Sequence, residues 1–277
     1  MKNKLPVVAF QGERGAFSEL AAVTYFGDSV EPMACPSFDA VFAAVDDGIA
    51  LHGMIPVENS LAGSIHRNYD LLLRHELVIV GEVQVPISHH LIVLPGVKLS
   101  DVKRVYSHPQ GLAQCEYSLN RLLPDAERVA TYDTAGSVKI LRDEGIRDGA
   151  AIASRRAAEV FQMTILEEGL EDSAENYTRF LVLSRTPVIP EGEAKTSIVF
   201  STSDVPGALF KCLAVFALRD IDLTKIESRP LQGKRWEYFF YIDFTGSQRE
   251  SHCQNALNHL QELTTFYRML GSYPRSV

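Results

Sequence analysis

The sequence predicts an α/β fold of mostly parallel sheet, followed by a smaller α+β unit in the order βαββαβ, the ferredoxin-like arrangement. Three observations carry the prediction. Through residue 187, short apolar runs alternate with amphipathic stretches, the pattern of strands joined by helices. Polar residues gather where the runs end and the helices begin, which is the end of such a sheet where ligands sit. Residues 188–195, Val-Ile-Pro-Glu-Gly-Glu-Ala-Lys, form a Pro/Gly/charge linker, and the pattern changes beyond them.

Taken in order, Leu5 to Phe10 is the first strand, Gly12-Glu-Arg-Gly-Ala-Phe-Ser18 a glycine turn, and the residues up to Gly27 a helix. Strand, turn and helix in this order present free backbone N–H groups to an anion, although a tight turn alone also explains both glycines. Ser37 can cap a helix through Val41, Phe42 and Val45. His52 to Val57 is the next strand, closed by Glu58-Asn59-Ser60 before a helical stretch from Leu61 to Leu73. Val78 to Val85, His90 to Leu94 and Val102 to Ser107 are extended. Pro109 opens one helix carrying Leu112, Cys115, Leu119 and Leu122. Arg128 to Tyr132 leads to Asp133-Thr134, a cap for a helix ending at Gly145, and Ala150 to Ala153 leads to Ser154 and another helix. In the last unit, strands cover Thr196 to Ser201, Leu223 to Leu231, Trp236 to Phe244 and about Phe266 to Leu270, with a turn at Gln232 to Arg235. Helices cover Pro206 to Leu218 and Ser251 to Leu263.

Composition narrows the function classes. With 277 residues, 46% of them hydrophobic and 22% charged, the chain has the size and make-up of an ordinary globular protein of two domains. A formal net charge of −8 argues against nucleic acid as a partner, because that affinity rests on Lys and Arg neutralising phosphates. No stretch approaches the roughly 20 apolar residues of a membrane span, and the apolar run after Met1 is too short for a signal peptide. Cys35, Cys115, Cys212 and Cys253 are far apart with no CxxC pair, so neither a zinc site nor a disulfide framework is expected. The reading is cytoplasmic, with reduced thiols. There is no HExxH, and adjacent His89 and His90 point to opposite faces of a strand, so no metal is expected.

The stretch Glu171 to Leu183 concentrates the chemistry. Phe180 and Val182 belong to a buried strand, and Asn176, Thr178 and Arg179 stand at its mouth. In an extended chain Thr178 shares a face with Phe180, while Arg179 shares the other with Tyr177. A buried strand aims such groups rigidly at a ligand.

The motifs Gly12-x-x-Gly15-x-x-Ser18, Pro56-Val-Glu-Asn-Ser60-x-x-Gly63, Ser107-His-Pro-Gln110 with Gln114-Cys115, Asp133-Thr-Ala and Asn176-x-Thr-Arg-Phe180 resemble, together and in order, the prephenate dehydratase family. Gly207-Ala-Leu209 and Glu227-Ser-Arg-Pro230 resemble the amino-acid-binding ACT module that follows the catalytic region in the bacterial enzymes. Gly111 and Gly136 stand where the family more often has alanine, which would loosen two helix starts. The resemblance implies a catalytic domain over residues 1–187, built as two lobes like the type II periplasmic binding proteins, and a regulatory ACT domain over 196–277. Lobe one would be about 1–77 plus 170–187 and lobe two about 78–169, with Thr178 at the seam.

The activity implied is loss of water and carbon dioxide from prephenate, giving phenylpyruvate for phenylalanine biosynthesis, with no cofactor because aromatisation drives the reaction. Thr178 would donate to the leaving hydroxyl, as a positioned donor or as a relay for a proton whose candidate supplier is Glu58. Asn59, Ser60 and Gln114 would orient the substrate. Ser18 and Thr134 would supply hydroxyls at helix starts, unless they simply cap, and Asn176 and Arg179 complete the substrate set, with Arg179 equally able to pair with a protein carboxylate. His108 reads as a capping or core histidine. Asp204, Gly207, Ala208, Leu209, Glu227, Ser228 and Arg229 would enclose L-phenylalanine as feedback inhibitor across a subunit interface, which implies a homodimer through the ACT domains and by family a homotetramer. Two rival readings remain: arogenate dehydratase, giving phenylalanine directly, and a non-catalytic amino-acid sensor.

Overall fold

A computed structural model describes residues 5–231 and 237–276; the turn expected at Gln232 to Arg235 and the strand start at Trp236 fall outside the described residues. By its contacts the chain divides into two units, one comprising the residues through Asn68 together with Val83–Phe180, the other Tyr69–Glu82 together with the residues from Leu181 onward.

The first unit carries β1 (Val7–Gln11), α1 (Phe17–Phe26), β2 (Glu31–Cys35), α2 (Phe38–Asp46), β3 (His52–Asn59), β4 (Gly63–Ser64) and the start of α3 (His66–Arg74). After β5 (Val78–Pro86) follow β6 (His90–Val93), β7 (Arg104–Ser107), α4 (Pro109–Gln114), α5 (Glu116–Leu122), β8 (Glu127–Ala130), α6 (Thr134–Glu144), β9 (Gly149–Ala153), α7 (Arg155–Phe161), β10 (Thr164–Glu167) and β11 (Tyr177–Ser184). Strands β5 and β11 run on from one unit into the other.

These strands form two sheets. The first has the order β2-β1-β3-β11-β5 with β4 on β3, and the second the order β10-β6-β9-β7-β8. β1 is parallel to β2 and β3, and β7 to β8 and β9, but β6 is antiparallel to both β9 and β10. The sheets are therefore mixed, with β6 and the short β4 antiparallel to their neighbours and the pairs of β1 with β2 and β3 and of β7 with β8 and β9 parallel as expected. Strands such as β6 and β9 are buried at every residue, and a continuous apolar run reads the same in either direction. The division expected between residues 77 and 78 also moves: β5 belongs to the first sheet, where the Ile87 N–H beyond its end donates to the Asn176 carbonyl at 2.7 Å.

Two helix expectations are corrected. The helix expected from Leu61 begins only at His66, because the Asn59 carboxamide oxygen accepts from the Leu61 and Ala62 N–H groups (3.2 and 2.9 Å) and holds those residues in a turn. The single helix expected after Pro109 breaks at Cys115 into α4 and α5. There the Asp172 carboxylate accepts from the Tyr117 and Ser118 N–H groups (2.9 and 3.1 Å) and caps a second helix start.

In the second unit β12 (Ala194–Ser201), α8 (Ala208–Ala217), β13 (Leu223–Pro230), β14 (Tyr238–Thr245), α9 (Ser251–Leu263) and β15 (Phe266–Pro274) follow the expected order βαββαβ. The sheet order β13-β14-β12-β15 is antiparallel throughout. Its core packs Phe200, Ile242 and Phe244 from the strands against Cys212, Phe216 and Leu260 from the helices. The unit also includes Tyr69–Glu82. Arg268 donates to the Leu73, His75 and Leu77 carbonyls, Tyr241 donates to the Tyr69 carbonyl at 2.8 Å, and Lys195 pairs with buried Glu82 at 2.6 Å. The contact boundary falls within β11, a few residues ahead of the expected linker.

Candidate active site

Within the first unit a cavity of about 660 Å³ is lined by both sheets' loops, a size suited to a small-molecule ligand. Four helix beginnings contribute to its wall: Phe17 and Ser18 of α1, Ser37 and Phe38 at α2, His108 and Gln110 at α4, and Asp133 and Thr134 at α6. Each helix start offers N–H groups without intrahelical partners and the positive end of a dipole. One cationic side chain, Arg67, joins them among the lining residues, and it is exposed and paired with Asp39 at 2.5 Å. The wall is thus equipped for an anion chiefly by backbone and neutral donors.

The turn before α1 is held by the start of α7. Gly15 has φ +87, open to glycine, and a Cβ there would lie 2.6 Å from the Ala157 Cα. The Ser154 hydroxyl donates to the Gly15 carbonyl at 2.6 Å while accepting from the Ala157 N–H, so it caps α7 and clamps the turn together. Fully buried Glu19 accepts from the Gly15 N–H and pairs with Arg156 at 2.9 Å. Cap assignments decide two of the expected roles. Ala16, not Ser18, is the N-cap of α1, which leaves the Ser18 hydroxyl on the cavity wall, and Asp133 caps α6 through the Gly136 N–H, which leaves Thr134 the same. Burial raises the Asp133 carboxyl, and the Gly136 and Ala135 N–H groups pull it back down. His108 caps α4, its Nδ1 accepting from the Gln110 N–H at 3.2 Å, as expected.

At the floor stands Thr178, 7% exposed, at the start of β11. Asn59 at the end of β3 donates from Nδ2 to Thr178 Oγ1 at 3.0 Å and to Asn176 Oδ1 at 2.8 Å. Because the Asn59 oxygen is fixed by two backbone donors, its nitrogen must face Thr178. A hydroxyl that accepts from an amide keeps its own proton to donate elsewhere. Gln114 stands on the cavity wall with Oε1 3.0 Å from His89 Nε2.

Thr178, Asn59, Gln114, Ser18 and Thr134 are therefore brought together as expected. Four expected residues do not reach the wall. Glu58, half-buried at the end of β3, is not among the lining residues, although Pro56 two positions before it is. Ser60 is bound to the chain: its hydroxyl donates to the Glu175 carbonyl and accepts from the Tyr177 N–H (2.8 and 2.9 Å), so it positions the segment before Thr178. Asn176 is buried behind Asn59, and Arg179 alternates away from Thr178. Asn59, on the cavity wall, is engaged with protein at both ends of its carboxamide and holds Thr178 in place. Sequence reasoning missed His89, Gln11, Tyr132 and Arg67 on the wall; His89 alone was visible, as half of a His-His pair. Alanine at Gly111 would put its Cβ 2.6 Å from Ser107 Oγ, and at Gly136 2.6 Å from the Tyr132 ring, so both glycines make room for neighbours.

In the second unit Asp204 is exposed, Gly207 is left-handed (φ 80) with Ala208 opening α8, and Leu209 packs on the core. Glu227 and Arg229 share one face of β13 and Ser228 the other, so the three cannot enclose one ligand from one face. Arg229 is committed to Asp70, with its Nε and Nη2 at 3.3 and 3.1 Å. Glu250, His252 and Cys253 form the one group of metal-ligand type among the described residues, but Cys253 is buried and its thiol is pushed up to about 11 by that burial, which disfavours a thiolate ligand. No helix among the described residues is long and apolar enough to cross a membrane.

Two mixed sheets flanking an anion-ready cavity, with a βαββαβ unit after them, define an α/β small-molecule-binding protein with an appended α+β unit. The prephenate dehydratase family model matches residues 8–188, and the chain belongs to that family. Arogenate dehydratase 3, chloroplastic, of Arabidopsis thaliana is 51% identical over 283 residues, an alignment covering 96% of this chain and 66% of the relative, so this chain spans about two thirds of that protein's length. Among solved structures, the prephenate dehydratase of Arthrobacter aurescens in complex with L-Phe is 35% identical with TM-score 0.88, over 97% of this chain and 90% of that one. GqqA, described as a novel type of quorum quenching acylase, is 34% identical with TM-score 0.90 over 98% of both chains.

Proposed function

We propose that this chain is a lyase that removes water and carbon dioxide from prephenate to give phenylpyruvate in phenylalanine biosynthesis. The observation that carries the reading is the Asn59 amide donating to Thr178 Oγ1, which leaves the threonine proton free to be given into the cavity. In the reaction the electron pair of the breaking C–carboxylate bond enters the ring as the ring hydroxyl departs on the opposite carbon. One proton is taken up, and carbon dioxide, water and the monoanion phenylpyruvate result. Thr178 donates to the departing oxygen, where negative charge grows in the transition state. The start of α1, which has no side-chain cap, offers N–H groups to a substrate carboxylate, and the Ser18 and Thr134 hydroxyls with the Gln114 carboxamide add donors. Glu58 stays the candidate proton supplier, at one remove from the cavity because it is not itself a lining residue.

Arogenate is the alternative substrate, with an amino group in place of the keto group and phenylalanine as product. The 51% identity to a plant protein named for that activity favours keeping it beside prephenate. Supplying each substrate to pure protein and measuring carbon dioxide together with the product formed discriminates the two. Ligand binding with no product from either substrate would favour a non-catalytic sensor. An acylase reading, suggested by one structural relative, requires a base beside a nucleophile. The Asn59 amide donates to Thr178 and cannot take its proton, which favours the lyase reading.

The second unit we read as an ACT module that binds L-phenylalanine as feedback inhibitor, and the two sheets of the first unit as periplasmic-binding-protein-like lobes. The L-Phe complex of the Arthrobacter relative supports the effector, and the left-handed Gly207 at the start of α8 supports a carboxylate site there, with Asp204, Ala208 and Leu209 beside it. A homodimer at least is part of the proposal, supported by the edge position of β13, by exposed Phe210 on α8 and by exposed Leu218 just after it. Sedimentation with and without phenylalanine tests it. Four free, buried cysteines accord with the cytoplasmic setting we propose.

A further inference from the structure

We propose that His89 is a positioning residue that decides which end of the Gln114 carboxamide faces the substrate. The inference rests on the lyase reading for its kinetic consequence but on geometry for the arrangement itself. His89 is 1% exposed and forms part of the cavity wall, with its Nε2 3.0 Å from Gln114 Oε1. Its Nδ1 is buried without a protein hydrogen-bond partner. The ring is fixed from other directions as well: the Phe17 ring meets it edge-on at 5.5 Å, and its backbone N–H donates to the Glu171 carboxylate at 2.7 Å, which also accepts from the Ser88 hydroxyl at 3.0 Å.

A neutral imidazole has one N–H to place. Burial favours the neutral ring by lowering its pKa, against smaller opposing effects of the Gln114 hydrogen bond and the Glu171 charge. With the proton on Nε2, the ring donates to the Gln114 oxygen, the amide –NH₂ turns toward the cavity, and Nδ1 is left as a bare acceptor. With the proton on Nδ1, a donor is buried unpaired and the amide must flip, presenting its oxygen to the cavity. An unpaired buried N–H is the costlier arrangement, and an oxygen facing a dianion repels it. The Nε2–H tautomer therefore makes Gln114 a donor toward a substrate carboxylate.

A double-mutant cycle on the full chain, with the preferred substrate, tests the kinetic consequence. His89→Leu is expected to lower kcat/KM by about ten- to hundredfold, mainly through KM, as befits a lost donor to a charged group. His89→Gln carries a donor near the Nε2 position and is expected to recover activity to within about threefold. In a Gln114→Ala background His89→Leu is expected to cost little more. Equal cost in both backgrounds, or no recovery by glutamine, overturns the proposal. Imidazole ¹⁵N spectra of the wild-type chain, with the His89 signals identified by their loss in His89→Gln, are expected to report the Nε2–H tautomer. An Nδ1–H signature overturns the proposal too. This second readout needs no turnover, so failure of the lyase reading, seen as no product from prephenate or arogenate, is distinguished from failure of the His89 assignment.

Discussion

Asn59 is engaged at both ends, its oxygen by the Leu61 and Ala62 N–H groups and its nitrogen by Thr178 and Asn176. Replacing it with alanine frees the Thr178 hydroxyl to rotate, and kcat is expected to fall at least about tenfold with KM little changed, since the loss falls on the transition state. Steady-state kinetics on the folded variant check this. His89 and His90 give a second prediction at this scale. Burial lowers both pKa values below the ordinary histidine value, most strongly opposed at His89 by its bond to Gln114. The unfolded chain then binds more protons than the folded one below about pH 6.5, so stability is full above that value and declines as pH drops beneath it. Thermal unfolding at pH 7.5 and 5.5 is expected to give the lower midpoint at 5.5, with a smaller difference in His89→Gln. Thr178 was legible in the sequence because strand alternation fixed its face relative to Phe180. Glu58 was not separable from its neighbours by alternation, because Pro56 and Asn59, on opposite faces of β3, both line the cavity while Glu58 is not among the lining residues.

At the scale of elements, the turn between β1 and α1 owes its position to α7. Gly15→Ala combines a left-handed backbone with a Cβ only 2.6 Å from the Ala157 backbone, so it is expected to destabilise by about 1–3 kcal/mol and to lower activity by displacing the α1 start from the cavity. Chemical denaturation and turnover measured on the same preparation check both effects. Helix starts at Ser37, Asp133 and Ser154 were readable because each cap is local, a side chain accepting from an N–H three residues on. The break at Cys115 was not, because the capping Asp172 arrives from far along the chain. Strand direction was equally hidden in β6 and β9, whose fully buried faces carry no alternation.

For the whole molecule, the order of elements was legible, whereas the grouping of Tyr69–Glu82 with the last strands was not. The contacts that draw Tyr69–Glu82 into the second unit come from Arg268, Tyr241 and Lys195, and no local pattern announces partners so remote in sequence. Glu82 is fully buried and its partner Lys195 nearly so. Removing one member leaves an uncompensated buried charge, so Glu82→Ala is expected to cost about 3–5 kcal/mol. Denaturant unfolding checks this, and a Glu82→Leu, Lys195→Met double variant is expected to be more stable than Glu82→Ala.

The hydroxyl proton that Asn59 leaves to Thr178 is the group on which the proposed chemistry depends. The most direct measurement is kcat of the full chain with prephenate, and with arogenate if that is the better substrate, for Thr178→Val and Thr178→Ser beside the unaltered protein. Valine keeps the shape and removes the donor, so kcat is expected to fall about 10²–10³-fold with the fold intact by circular dichroism, whereas serine keeps most of the rate. A well-folded valine variant turning over at near the unaltered rate would contradict the account.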